Sequence, residues 1–428
     1  MRVVHLSVGD LWGGAARAAF RLHTGLARCG WDSQMLVTNR QSIDPNVHQF
    51  DLRTSLWKRV CRRLRRNYLT WNIQRHKSLF NPRKPYSDDR AEHGRDLLDQ
   101  IPPCDVLNLH LVAGFVDHQL LFANLPRSLP VVYTLHDMYA FTGGCHYTDG
   151  CARYHERCGA CPQLRSQRSG DFSRGVWKRK CAAFSHRSSR NLAFVANSVW
   201  MQQEARKSSL LDGFPVEVIH YGLDLEVFQP RNKALSREIL GIGPSERVVV
   251  FCAVNLHEPR KGMKLMLEAL ELVSASQDLS LLTFGSGLFH TRLRHRHLGP
   301  IESEALMSLV YSAGDVFVMP STQEAFGLTA LESLACGTPV VAFGAGGIPD
   351  MIAPGQNGFL APVGDTQSLA KGIRSILDDR MRQAQMSRQA REIVAARFSL
   401  EKQADAYANL YSRLIEEPTA GQVNGSYR

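Results

Sequence analysis

No run of about eighteen apolar residues occurs in this chain, so a membrane-spanning helix is not expected. The opening segment MRVVHLSVGD enters an apolar strand at once, with neither a long apolar core nor a small-residue cleavage site. A secretory leader is therefore not expected, and the reading is a cytoplasmic protein. Its ten cysteines are then better read as thiols or metal ligands than as disulfides. No GxGxxG spacing follows the first strand, which argues against an NAD enzyme. No internal repeat is visible. Acidic residues are missing from one stretch in particular: residues 53–87 hold eleven Lys or Arg and no Asp or Glu, an excess equal to the +11 of the whole chain. Within it Trp57, Val60, Leu64, Tyr68 and Trp71 recur at spacings of three or four, which predicts a helix with one apolar stripe and basic flanks. Such a helix suits an anionic membrane, peripherally, at the inner face of the plasma membrane. The other reading is a solvated basic face whose stripe packs on the domain. Nucleic acid is not an expected partner, because no nucleic-acid motif accompanies the charge.

What is present is the pattern of an α/β protein. The 428 residues exceed one ordinary core and suit two domains. In the first half VVHLSV reads as a strand, and GGAARAAFRLHTGLARCG as a helix that opens on two glycines and stops at Gly30. QMLVTN, DVLNLHLV, VVYTLHD, LAFVANS and PVEVIHYG are further strands. Alternating strands and helices imply a parallel sheet covered on both faces. The pattern loosens around GLDLEVFQPRNK, where a linker is placed, and resumes at RVVVFCAV and LSLLTFGSG. The predicted domains are residues 1–222 and 223–398, followed by an amphipathic helix at 399–416 and a flexible tail at 417–428.

The most informative segment is 315–343, DVFVMPSTQEAFGLTALESLACGTPVVAF. DVFVMP is an apolar run ended by Pro320, TALESLACG a short helix stopped by Gly337, and PVVAF the next buried strand. Glu324 and Glu332, with seven residues between them, therefore stand at the carboxyl end of a strand and the start of a helix. Open α/β sheets bind ligands there, and free backbone N–H groups at the helix start aim at anions.

With EAFGL, ALESLACGTPVV and the following GGIPD, this segment resembles the donor-binding motif of retaining glycosyltransferases of family 4. The resemblance covers nearly the whole chain and is dense from about 245 to 365. It implies the GT-B fold: two Rossmann-like domains facing a cleft, with the C-terminal helix crossing back to the first. It also implies that Glu332 holds the ribose of a nucleotide sugar, that Glu324 lies near the sugar, and that amides of the Phe326-Gly327-Leu328 loop touch sugar and diphosphate. Family members carry a Lys-Gly that matches Lys261 and Gly262 in HEPRKG, and an Arg about six positions earlier, where this chain has Asn255. From the residues alone, Arg260 and Lys261 could clamp a diphosphate at a helix start, and Arg260 could replace the missing charge. Gly285, in the GSG that ends a strand, is expected to line the donor site, with HLGPIE, residues 297–302, beside the base.

In the first half, GDLWGGAARAAF resembles the family's glycine-rich loop, where Gly13 and Gly14 let the backbone approach a phosphate or sugar. His136 in VVYTLHDMY resembles the family's active-site histidine. It could bond a sugar hydroxyl, while Asp137 could orient a helix start or act as the acceptor base. The resemblance implies front-face attack, in which the leaving phosphate takes the acceptor proton. Neither a protein base nor a catalytic metal is then required.

Residues 142–164, TGGCHYTDGCARYHERCGACPQL, carry Cys145, Cys151, Cys158 and Cys161, spaced by five, six and two residues. Four clustered thiols ending in a CxxC knuckle suit one structural zinc, with His146 and His155 as alternative ligands. Four protein ligands leave no open position, so a catalytic zinc is not expected. The TLHD…TGGCHY…CxxCPQL pattern resembles a subset of bacterial exopolysaccharide transferases, including colanic-acid-type enzymes. The expected function is transfer of a sugar from a UDP- or GDP-sugar to a growing, lipid-linked glycan. The rivals are a sugar-nucleotide 2-epimerase of the same fold and a non-catalytic nucleotide-sugar-binding protein.

Overall fold

The computed structural model describes residues 1–52, 56–74, 85–274 and 279–416. The expected tail at 417–428 lies outside them. The chain divides into two compact units, one of residues 1–220 with 403–428, the other of residues 221–402. Elements are numbered in chain order.

The first unit holds parallel strands β1 (Arg2–Gly9), β2 (Asp32–Asn39), β3 (Val47–Gln49), β4 (Val106–Leu109), β5 (Val131–Leu135), β6 (Leu192–Ala196) and β7 (Val216–Val218). Their order is β3-β2-β1-β4-β5-β6-β7. Its helices are α1 (Gly14–Arg28), α2 (Leu56–Gln74), α3 (His118–Asn124), α4 (Phe172–Phe184), α5 (Val199–Arg206) and most of α12 (Leu400–Glu416). Val3, Val4, Leu6, Val131 and Val132 are fully buried, as strands covered on both faces must be. Helix α12 lays Ala404, Tyr407, Leu410 and Tyr411 against Val3, Leu22, Val106 and Val132. Its buried hydroxyls find partners in the sheet: Tyr411 accepts from Asn108 at 2.6 Å, and Tyr407 lies 3.0 Å from the Thr134 hydroxyl.

The second unit holds parallel strands β8 (Arg247–Asn255), β9 (Leu279–Ser286), β10 (Arg294–His297), β11 (Val316–Met319), β12 (Val340–Phe343) and β13 (Gly358–Ala361), in the order β10-β9-β8-β11-β12-β13. Helices α6 (Lys233–Ile239), α7 (Met263–Ser274), α8 (Glu304–Ala313), α9 (Leu328–Ala335), α10 (Thr366–Leu377) and α11 (Arg380–Arg397) accompany it. The core joins β8, β9, β11 and β12 to α7 and α10 through Val249, Phe251, Leu281, Val318, Leu270 and Ile373. In both sheets the strand order reverses direction at one place, between β1 and β4 and between β8 and β11. Loops leaving the carboxyl ends of strands beside such a reversal splay apart and leave a crevice.

Candidate functional site

In the second unit, the loops after β8 and β11 flank the reversal, and they carry the expected residues. Lys261 Nζ donates to Glu324 Oε2 at 2.6 Å, and Arg260 Nη1 lies 3.8 Å from the same oxygen. Burial works against the ionised form of Glu324. The Lys261 ammonium and then the Arg260 guanidinium outweigh it, so the carboxyl titrates below its ordinary value. Arg260 also bonds Glu258 through Nε, so each cation already has a carboxylate partner. Asn255 takes no part in this cluster through its side-chain oxygen, which accepts from His257 N at 2.9 Å and closes the turn after β8. Backbone contacts fix the loops on each other. Thr322 N donates to Arg260 O at 2.8 Å. Gly262 has φ 73°, and a Cβ there would stand 1.9 Å from Pro320 O. Only glycine lets the two loops approach this closely.

Glu332, one turn into α9, is buried and accepts from the Tyr311 hydroxyl of α8 at 2.9 Å. Sequence reasoning missed Tyr311, which lies in an ordinary apolar helix pattern. Gly327 caps α9 in the left-handed region, without a side-chain cap hydrogen bond. Phe326 is 1% exposed and packs edge-on against Tyr221 and Phe398, so its side chain is core and only its backbone faces the loop. The GGIPD segment is tied in too: Gly347 N donates to Glu324 O at 3.1 Å. Gly285 serves packing, since a Cβ there would stand 1.8 Å from Ala253 O, and its N–H donates to Gly299 O in the 297–302 segment.

In the first unit, Gly13 precedes α1 with φ 86°, and a Cβ there would meet nothing within 4 Å. Gly14 opens the helix, whose first turn carries no acid. Asp10, absent from the sequence reading, is fully buried and accepts from the N–H groups of Leu11, Gln41 and Ser42, which joins the β1 and β2 loops. His136 directly follows β5, and its Nε2 lies 3.0 Å from His110 Nδ1. Burial lowers the pKa of His136 to about 4. Asp137 has both oxygens engaged, one accepting from Tyr139 N at 2.8 Å and the other 2.7 Å from His146 Nδ1. The first of these bonds lies at the start of a short 3₁₀ turn, Tyr139–Phe141.

Cys145, Cys151, Cys158 and Cys161 line one cavity of about 20 Å³ with Tyr86. Cys158 Sγ accepts from Gly143 N at 3.2 Å, and burial pushes the Cys158 thiol up to about 12. Among the described residues no three His, Cys, Asp or Glu side chains stand close enough to hold a metal ion. His146 is committed elsewhere, because its Nε2 also meets Ser87 Oγ at 2.9 Å.

The predicted basic helix is present as α2. Its aromatic stripe faces solvent: Trp57, Leu64 and Trp71 are 75%, 64% and 51% exposed. The opposite side docks. Leu69 is buried, Arg65 bonds Ala91 O at 2.7 Å and Asp117 at 2.5 Å, and Arg62 lies 3.5 Å from Asp96. The reading in which the stripe packs on the domain is therefore corrected. Acids on the neighbouring loops pull the arginines inward and turn the stripe out. Among the described residues no helix is long and apolar enough to cross a membrane.

Residues 12–227 match the profile of Glycosyltransferase Family 4, and residues 232–393 that of Glycosyl transferases group 1. The D-inositol 3-phosphate glycosyltransferase of Mycobacterium marinum is 35% identical over 224 residues, 48% of this chain and 47% of that protein. Its Mycobacteroides abscessus counterpart is 36% identical over 219 residues, 48% of each chain. The chain spans about half the length of the curated relatives it matches. Sucrose-phosphate synthase from Thermosynechococcus elongatus superposes with a TM-score of 0.66 at 20% identity, covering 96% of this chain and 98% of that one. HepE of Anabaena, solved with UDP and glucose, gives 0.63 at 19% identity over 96% and 99%. At these identities the likeness concerns the fold, and with the two parallel sheets it defines an α/β protein of the GT-B class. More narrowly, the chain belongs to glycosyltransferase family 4.

Proposed function

We propose that this protein is a retaining glycosyltransferase that moves a sugar from a UDP- or GDP-sugar to a growing, lipid-linked glycan. The observation that carries the reading is the cluster of Lys261, Arg260 and Glu324 at the strand-order reversal of the second unit, beside Glu332 and the uncapped start of α9. A departing nucleoside diphosphate develops negative charge, and fixed donors and cations stabilise it. Arg260 and Lys261 supply the cations and the Gly327-Leu328 amides the donors. Glu332, held by Tyr311, is the proposed partner of the ribose, and Glu324 of the sugar. Gly285 and residues 297–302 are proposed beside the base. In the first unit Gly13 and Gly14 are proposed to let backbone approach the ligand, and His136 to bond a sugar hydroxyl. No catalytic metal is proposed. The UDP bound by HepE supports a nucleotide-sugar donor.

The exposed stripe of α2, with Arg59 and Arg63 also exposed, supports peripheral attachment to an anionic membrane, where a lipid-linked acceptor would be met. The four cysteines are proposed to hold one structural zinc, whose binding would displace the thiol protons and draw the sulfurs together. The test is a screen of UDP- and GDP-sugars for donor turnover, with and without lipid-linked acceptors and phosphorylated polyols. The polyols enter because the relatives are named for inositol 3-phosphate. Turnover that depends on a lipid-linked acceptor supports the proposal. Epimerised donor with no acceptor, or binding without turnover, sinks it.

A further inference from the structure

Four histidines of the first unit form one hydrogen-bonded line that the function above does not use. His136 Nε2 meets His110 Nδ1 at 3.0 Å, and His110 Nε2 meets His5 Nδ1 at 2.9 Å. His5 Nε2 then meets Ser33 Oγ at 3.2 Å, and Ser33 Oγ meets His23 Nδ1 at 2.8 Å. The line ends where His23 Nε2 lies 3.4 Å from Asp44 Oδ2. It crosses four neighbouring strands, from the end of β5 past β4 and β1 to β2, and finishes on α1. His5, His23, His110 and Ser33 are at most 3% exposed, whereas the Asp44 side chain is 27% exposed.

We infer that this line is a tautomer relay, in which Asp44 at the partly exposed end fixes which ring nitrogen of His136 carries the proton. The argument is one of donor and acceptor count. A neutral imidazole has one N–H and one bare nitrogen. Two ring nitrogens about 3 Å apart need one proton between them, because two protons clash and none leaves lone pairs in opposition. Ser33 has one hydroxyl proton, so it donates to one ring and accepts from the other. If it accepted from both, its own buried proton would lose its partner. The line therefore has two internally consistent polarities. Asp44 selects one, since an ionised carboxylate only accepts. At 3.4 Å it makes no well-formed hydrogen bond with His23 Nε2, and it acts through its charge, which favours N–H over a lone pair there. His23 is then protonated at Nε2 and accepts from Ser33. Ser33 accepts from His5 Nε2–H, His5 from His110 Nε2–H, and His110 from His136 Nε2–H. Burial keeps all four rings neutral at neutral pH, which the count requires.

The consequence at His136 is chemical. Its Nδ1 becomes a hydrogen-bond acceptor, which pairs with an O–H or N–H donor and not with a phosphate or carbonyl oxygen. This step deepens the glycosyltransferase reading and rests on it, since it makes the preferred partner of His136 a sugar hydroxyl. His110, His5, Ser33 and His23 are positioning residues, which act only through the ring they orient.

The test is nitrogen NMR of the full-length protein labelled at histidine, which reports the tautomer of each ring without need of activity. All four rings are expected as the Nε2–H form. Asp44→Lys puts a donor at the end of the line and is expected to switch His136 to the Nδ1–H form. Ser33→Ala is expected to leave His136 as a mixture, and Ser33→Thr to restore a single form. If Ser33→Ala does not fold, the partly exposed Asp44→Lys decides alone. A wild-type His136 in the Nδ1–H form, or one whose signals ignore Asp44→Lys, overturns the relay. Absence of sugar transfer in an otherwise responsive protein overturns the function proposal and leaves the relay standing.

Discussion

Glu324 stays ionised in a buried place because Lys261 and Arg260 meet at one of its oxygens. Its carboxyl is held below the ordinary value, so it contributes stability above its unfolded pKa and loses that contribution as pH falls through the folded value. Lys261→Met reverses the balance, because burial then dominates and the carboxyl titrates upward. Urea unfolding of this variant should show stability falling from a higher pH than in the wild type, with a loss at neutral pH of up to about 3–5 kcal/mol for a stranded buried partner. A double change with Glu324→Gln should cost less than the sum of the two. Identical pH curves for wild type and Lys261→Met would remove the energetic role of the pair. In turnover, Lys261→Ala is expected to raise the barrier by roughly 2.7–4 kcal/mol, as when an oxyanion donor is lost. Glu332→Ala should weaken nucleotide binding whatever the sugar. Near-normal turnover in the first variant, or unchanged affinity in the second, contradicts the assigned roles. These residues were legible because strand, loop and helix are contiguous in sequence. His5, His23, His110 and Asp10 were not, because their partners lie on other strands or loops and a lone histidine or aspartate gives no signal of such a partner.

At the scale of elements, periodicity located α2 and could not say which side docks. The stripe of Trp57, Leu64 and Trp71 has the spacing of a core-facing helix, yet the domain beneath offers Asp96, Asp117 and the Ala91 carbonyl, which match Arg62 and Arg65. The substitutions that test membrane binding follow from this orientation. Trp57→Ser, Leu64→Ser and Trp71→Ser together should greatly reduce co-sedimentation with anionic vesicles and leave thermal stability nearly unchanged, since these side chains already face water. Arg65→Ala should do the reverse, because Asp117 also caps α3 through Leu120 N and would lose its cation. If the stripe variant sediments like wild type, the exposed face has another use. Gly285 was read as lining the donor site and Gly262 as the start of a helix, and the structure gives both a packing reason as well. Gly262 and Gly285 permit backbone approaches that no side chain allows. Conformational freedom is visible in sequence, but the atom a Cβ would strike is not.

At the scale of the whole molecule, each unit has its own sheet and its own buried core, so ligands of one unit should stabilise that unit first. The sequence made the two-sheet plan readable through alternating strands and helices. That the chain's last helix buries Tyr407 and Tyr411 in the first unit came from the family resemblance and not from the pattern, because an amphipathic helix does not name its partner. If UDP or GDP binds at Glu332 and Lys261, saturating nucleotide at a hundredfold its Kd adds about 2.7 kcal/mol to the second unit. Amide exchange read by mass spectrometry should then slow most in residues 221–402. A structural zinc on Cys145, Cys151, Cys158 and Cys161 makes the mirror-image prediction. Protein purified without a metal-binding tag should hold about one zinc per chain, and chelation should speed exchange in the first unit only, since such a metal contributes directly to folding. Nucleotide protection confined to the first unit would move the donor site off Glu332. Metal-free protein with four freely reactive thiols would leave the cysteines as packed side chains around a small cavity.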